Sequence, residues 1–263
     1  MSRGLRLTLL IGIPLLIVVL IVVFTIGLTN AIRGLSGGSP ISFDEQTDAG
    51  SSVSVDLPNA SITLGASDDE QVHVTMRGTY SGEEPQLTIR TGDDGETEIS
   101  GGCPRGWLIF NRCSVRVEVL LPAELDGEVN GENGSVTAAG LDGALNLSTT
   151  NGTLRIEESS GRLDLETTKG RIEGSDLGSA NVDAETTNGA VRMEFSSAPD
   201  EVSARSTNGE ISVTVPDDGE SYRVDANTTN GKVDTADIRT DPDADRSITA
   251  RTTNGRVTVE QAN

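Results

Sequence analysis

Asp241, Asp243 and Asp245 have the alternate spacing of a cation-binding loop. Carboxylates two residues apart can converge on a hard cation, and calcium is the metal such oxygens would take. Arg246, however, stands where an EF-hand loop needs glycine, and Thr252 where it needs a bidentate glutamate. An acidic turn is therefore expected, with calcium as the alternative. The single histidine, His73, sits in an alternating run and reads as a strand residue. One histidine and two cysteines cannot assemble a zinc cluster of the usual spacing. No G-x-S-x-G nucleophile elbow occurs either. No catalytic, cofactor-binding or metal-ligating set is expected, and the chain reads as a non-enzyme.

Cys103 and Cys113 are the only cysteines, and a disulfide closing the segment between them is the expected reading for an exported chain. Inside that segment lie Trp107, the one tryptophan, and Leu108, Ile109 and Phe110. An apolar tip of this kind is either a partner contact or a cover for the end of a domain.

Export is argued from the start of the chain. Leu7 to Leu28 carries no charge and as a helix would span roughly 33 Å, one hydrocarbon core. A cleaved signal peptide has a shorter apolar stretch and a clearer small-residue site than Thr29-Asn30-Ala31. Arg3 and Arg6 precede the segment, so the amino end stays in the cytoplasm and the rest is exported. The expected layout is a tail at 1–6, a membrane helix at 7–28, a flexible tether at 29–40, and a soluble region at 41–263. The bilayer is thus one expected partner. Nucleic acid is not, because the net charge of −21 repels phosphates.

A repeat organises the soluble region. Thr-Thr-Asn-Gly or a close variant ends at Gly152, Gly170, Gly189, Gly209, Gly231 and Gly255, with Asn133-Gly134 as a reduced first copy. Asn151, Asn188, Asn208, Asn230 and Asn254 precede five of those glycines, and Lys169 precedes Gly170. The steps run from 18 to 24 residues (134 to 152, 231 to 255). Short alternating runs follow the glycines, such as Ile211-Ser-Val-Thr-Val215, and period two marks half-buried strands. Asn-Gly is expected to supply the positive φ of tight turns.

With aromatics at only 3%, the core must come from Val, Ile, Leu and Ala. Two architectures fit: a hairpin meander, or a single-domain parallel β-solenoid with 18–24-residue coils. Equal repeats in phase favour the solenoid, because stacking requires like neighbours. In it, Leu154, Ile172, Val191, Ile211, Val233 and Val257 form one interior column. Residues 41–123, where the spacing degenerates, read as first coils and cap, and 124–263 as the regular repeats.

At these Thr-Thr-Asn-Gly units the chain resembles the bacterial and archaeal putative-adhesin family of β-strand-repeat proteins, a family with a domain of unknown function. The likeness runs over roughly residues 50–260. It implies surface exposure, a leading membrane helix, and either adhesion-like binding of a surface ligand or a regulatory partnership in an envelope-stress system. It implies no catalytic residues. β-Solenoids also serve polysaccharide lyases, so a glycan-active enzyme stays as an alternative, the least favoured because coils of 18–24 residues leave little room for the long loops of a cleft.

Overall fold

The computed structural model of the chain describes residues 38–104 and 112–262. All that follows concerns the unit Pro40–Asn263. The expected membrane helix at 7–28, most of the tether and the Trp107 tip lie outside the described residues. Among the described residues no helix is long and apolar enough to cross a membrane. Ser39 and Pro40, assigned to the tether by sequence, already belong to the first strand.

The regular half folds as its alternation demands. A strand in one sheet leads through Asn-Gly to a strand in a second sheet, and the chain then returns to begin the next coil. Five coils follow in order: β8 (Asp126–Asn133) with β9 (Val136–Ala139), β10 (Leu145–Asn151) with β11 (Leu154–Glu157), β12 (Leu163–Lys169) with β13 (Ile172–Leu177), β14 (Asn181–Asn188) with β15 (Val191–Phe195), and β16 (Glu201–Asn208) with β17 (Ile211–Val215). Neighbouring coils pair in parallel, so like sits on like: Leu147 faces Leu165 and Leu165 faces Ala184 in one sheet. In the other, Leu154 faces Ile172 and Ile172 faces Val191. These side chains are fully buried between the sheets. Each aliphatic side chain so buried contributes about 1.5–3 kcal/mol, which lets a core nearly free of aromatics hold. A hairpin meander would need antiparallel partners across each Asn-Gly, and none occurs in this half.

The interior column departs from the expected order at its end. After β17 come β18 (Arg223–Asn230) with β19 (Val233–Asp234), then β20 (Ser247–Asn254) with β21 (Val257–Gln261). In space the last coil lies between the other two: the sheets run β16-β20-β18 and β17-β21-β19. Ile211 therefore faces Val257, and Val257 faces Val233. Val233 is not interior; it sits in the outermost coil and is 45% exposed. The coil with two inward valines, Val257 and Val259, takes the buried place, and the coil whose second strand offers only one takes the end.

Arg246, at the entry to β20, pins the inserted coil. Its Nη1 donates to the carbonyls of Ala198 and Pro199 at 3.1 and 3.2 Å and to the Asp200 carboxylate at 2.5 Å. Its Nε reaches Glu220 at 3.3 Å. Tyr222 is buried in the same region, and its hydroxyl has no partner among the described residues. Burial, helped by Asp218, pushes that phenol up to about 12.

The first half interleaves as well. The coil of β2 (Ser52–Asp56) and β3 (Ser61–Ala66) packs in parallel on β8 and β9. The later coil of β6 (Glu96–Gly102) and β7 (Arg112–Leu121) lies outside it, also parallel. β4 (Gln71–Ser81) and β5 (Gln86–Thr91) then run antiparallel to β7 and β6. β1 (Ser39–Asp48) borders β4. Reversing strand direction ends the stack, because the next coil would find no parallel partner. Cys103 and Cys113 join the end of β6 to the start of β7 in a disulfide, with Cα atoms 5.8 Å apart.

Candidate functional surface

The corner unit divides its four residues among four tasks. The first threonine points inward and donates to the glycine carbonyl of the adjacent coil: Thr167 to Gly152 at 3.2 Å, Thr186 to Gly170 at 3.0 Å, Ser206 to Gly189 at 3.0 Å, Thr252 to Gly209 at 3.0 Å and Thr228 to Gly255 at 2.9 Å. Thr149 has the same place, yet its buried hydroxyl has no partner among the described residues. The asparagines bond side chain to side chain along the stack. Asn151 donates to Asn133 and Asn133 to Asn59. Beyond Lys169, which interrupts the ladder, Asn230 donates to Asn254, Asn254 to Asn208 and Asn208 to Asn188. In this part of the ladder the carboxamide oxygens of Asn59 and Asn133 accept, and the nitrogens of Asn133 and Asn151 donate.

The glycine serves close approach at each corner, while the expected positive φ holds at Gly134 (145°) and Gly255 (154°) and not at Gly189. Gly189 has a φ outside the left-handed range; a Cβ on it would lie 1.7 Å from the Gly170 carbonyl oxygen. At Gly189 stacking alone excludes a side chain; at Gly134 and Gly255 stacking and the positive φ both do.

The second threonine faces out. Thr150, Thr168, Thr187, Thr207, Thr253 and Thr229 are all exposed at equivalent places along the ten-stranded sheet. Two residues earlier runs a charged column: Ser148, Glu166, Glu185, Arg205, Arg251 and Asn227, each in register with the next. Arg205 bonds Asp183 at 3.1 Å, and Arg251 bonds Asp225. A guanidinium carries five N–H donors, so these ion pairs do not exhaust either arginine. Between the two columns lies an open depression of about 490 Å³, lined by Arg205, Arg251, Thr207, Thr253, Thr229 and Asn227 among others. A second depression of about 320 Å³ lies at the strand starts, where Val53 and Leu145 meet Asp126, Glu128, Arg162 and Asp164.

The opposite sheet carries inter-coil ion pairs on its outer face, such as Arg155 to Glu173 at 2.5 Å and Arg192 to Glu210 at 3.5 Å. Burial alone would raise the Glu173 carboxyl, but hydrogen bonds from Arg155 and Arg171 outweigh it and hold the group below its ordinary range.

The residues singled out for metal chemistry are not assembled for it. Among the described residues no three His, Cys, Asp or Glu side chains are placed to hold a metal ion. Asp241 accepts the Asp243 N–H at 2.9 Å, a local turn within the acidic run. His73 Nε2 lies 2.9 Å from Asp69. Hydrogen bonds from Ser67, then His73 and Gln71, lower the Asp69 carboxyl to about 2. The arginine pair was missed from sequence, because Arg205 and Arg251 become neighbours only through the inserted coil.

A family model described as Toastrack DUF4097 matches residues 125–261. No curated protein matches the chain. Among solved structures, a putative cell adhesion protein from Clostridium sporogenes is 14% identical over 85% of this chain and 100% of that one, with a TM-score of 0.43. A putative adhesin from Bacteroides fragilis is 13% identical over 85% and 97%, with a TM-score of 0.42. A putative lipid binding protein from Parabacteroides distasonis is 12% identical over 86% and 98%, with a TM-score of 0.39.

Proposed function

The chain belongs to the Toastrack DUF4097 family, and from that premise we propose that it is a non-catalytic contact module. In this reading Leu7–Leu28 anchors it in the cell membrane, its amino end lies in the cytoplasm, and the β-repeat unit stands outside. The outward face of the ten-stranded sheet is the binding surface, and its ligand is an extended polar chain such as a cell-surface polysaccharide.

The observation that carries the reading is the in-register pair of columns around Arg205 and Arg251, one of threonine hydroxyls and one of charged and amide groups. Parallel strands about 4.8 Å apart repeat these donors and acceptors along the stack. A shallow, repeating polar strip fits a hydroxyl-rich chain better than a compact molecule, which needs an enclosed pocket.

The full chain, held in lipid nanodiscs, should bind at least one member of a panel of surface polysaccharides. Arg205→Ala with Arg251→Ala should weaken that binding by about tenfold or more, as loss of central contacts does. Arg192→Ala, on the other sheet, should leave it unchanged. Binding that ignores the arginine pair, or no binding across the panel, would reject the assignment.

A further inference from the structure

Asparagine followed by glycine is prone to attack on itself, because a glycine nitrogen with no adjacent Cβ can reach the side-chain carbonyl carbon. The chain holds seven such dipeptides. In five, the glycine N–H is held by the next coil: Gly134 donates to Asn151 at 3.2 Å, Gly152 to Lys169 at 3.0 Å, Gly189 to Asn208 at 3.1 Å, Gly209 to Asn254 at 2.9 Å and Gly255 to Asn230 at 3.1 Å. Asn130-Gly131 lies within β8, between β2 and β10. Gly231 differs. Among the described residues it belongs to the outermost coil at that end of the stack, and its N–H has no hydrogen-bond partner. It is also the one exposed glycine of the seven; the other six are half-buried. The Asn230 carboxamide donates to Asn254 at 2.8 Å, while its own oxygen accepts no bond among the described residues.

We propose that Asn230-Gly231 is a self-modification site, at which the outermost coil loses ammonia and becomes aspartate or isoaspartate at position 230 while the stacked coils protect the other six. Gly231 N gives its proton to solvent base and bonds to Asn230 Cγ; the Cγ–Nδ2 bond breaks as Nδ2 takes a proton from solvent, and ammonia leaves. Water then adds to either carbonyl of the cyclic imide and opens it, yielding the two acids. No oxidant or reductant takes part. The departing nitrogen is the one that donates to Asn254, so the reaction removes a rung of the asparagine ladder and sets a carboxylate against the Asn254 side-chain oxygen. The product loosens β18 at the open end of the stack.

The test is peptide mapping by mass spectrometry after incubation of the folded full chain at mildly alkaline pH, beside a sample in denaturant. In the folded chain, position 230 should convert at least about tenfold faster than positions 208 and 254, which react only through local opening. Isoaspartate should appear with aspartate, as opening of a cyclic imide requires. In denaturant the sites should converge in rate. Equal rates in the folded chain, faster conversion at an interior site, or aspartate without isoaspartate would overturn the proposal.

Discussion

Arg205 lies beside Arg251 in parallel register, although the whole coil of β18 and β19 separates them in the chain. That neighbourhood exists because the last coil inserts between the two before it. The same insertion sets the makeup of the outward face and leaves Val233 at the open end.

Arg246 holds the inserted coil in place, so Arg246→Ala should loosen that coil first. Hydrogen bonds involving a charged group are worth about 1.5–3 kcal/mol, discounted here because the side chain is partly exposed. A loss of about 2 kcal/mol in denaturant unfolding is expected. Hydrogen exchange should rise in β20 and β21 well before β10 and β12. Uniform exchange across the stack would show that Arg246 does not pin the coil.

The inward threonines give a paired test. Thr186 donates to Gly170 at 3.0 Å, whereas the buried hydroxyl of Thr149 has no partner among the described residues. Thr186→Val should cost about 1 kcal/mol, the net worth of a buried hydrogen bond. Thr149→Val, of like shape, should be neutral or slightly stabilising. Equal losses in thermal melts would mean that the ladder contributes nothing beyond packing.

The architecture was largely legible, for a physical reason. Stacked parallel coils demand equal units, and the units announce themselves through Thr-Thr-Asn-Gly. The order of the last two coils was not legible from periodicity. Arg223-Val-Asp-Ala-Asn-Thr-Thr-Asn230 and Ser247-Ile-Thr-Ala-Arg-Thr-Thr-Asn254 fit against β16 equally well by pattern. What separates them is bulk: Ile248, Val257 and Val259 fill inward positions that Val224 and Val233 fill less well. The antiparallel β4 and β5 carry the same alternation as parallel strands, and alternation does not encode direction. The expected positive φ is met at Gly134 and Gly255, but the close approach of a neighbouring coil's carbonyl, as Gly170 to Gly189, leaves no local mark in the sequence.

Tyr222 should make stability fall at alkaline pH. Its phenol is raised from the ordinary value near 10 to about 12 in the folded chain. The neutral form is therefore favoured by folding. Its contribution is full below about pH 10 and is lost as pH rises from about 10 towards 12. In a Tyr80→Phe background, tyrosinate absorbance should report this late titration directly. Tyr222→Phe, which removes a hydroxyl without a partner, should abolish that part of the alkaline loss. A midpoint near 10 in the folded chain would contradict the buried placement.

The spatial order of the coils decides which residues make up the contact surface, and paired cysteines measure it most directly. Ser212 faces Thr258, and Thr258 faces Asp234, so a whole coil lies between Ser212 and Asp234. On mild oxidation, the Ser212→Cys, Thr258→Cys protein should form a new crosslink. The Ser212→Cys, Asp234→Cys protein should not, because two strand spacings of about 4.8 Å exceed the reach of a disulfide. Crosslinking of the second pair but not the first would put the coils in simple chain order, separate Arg205 from Arg251, and contradict the account.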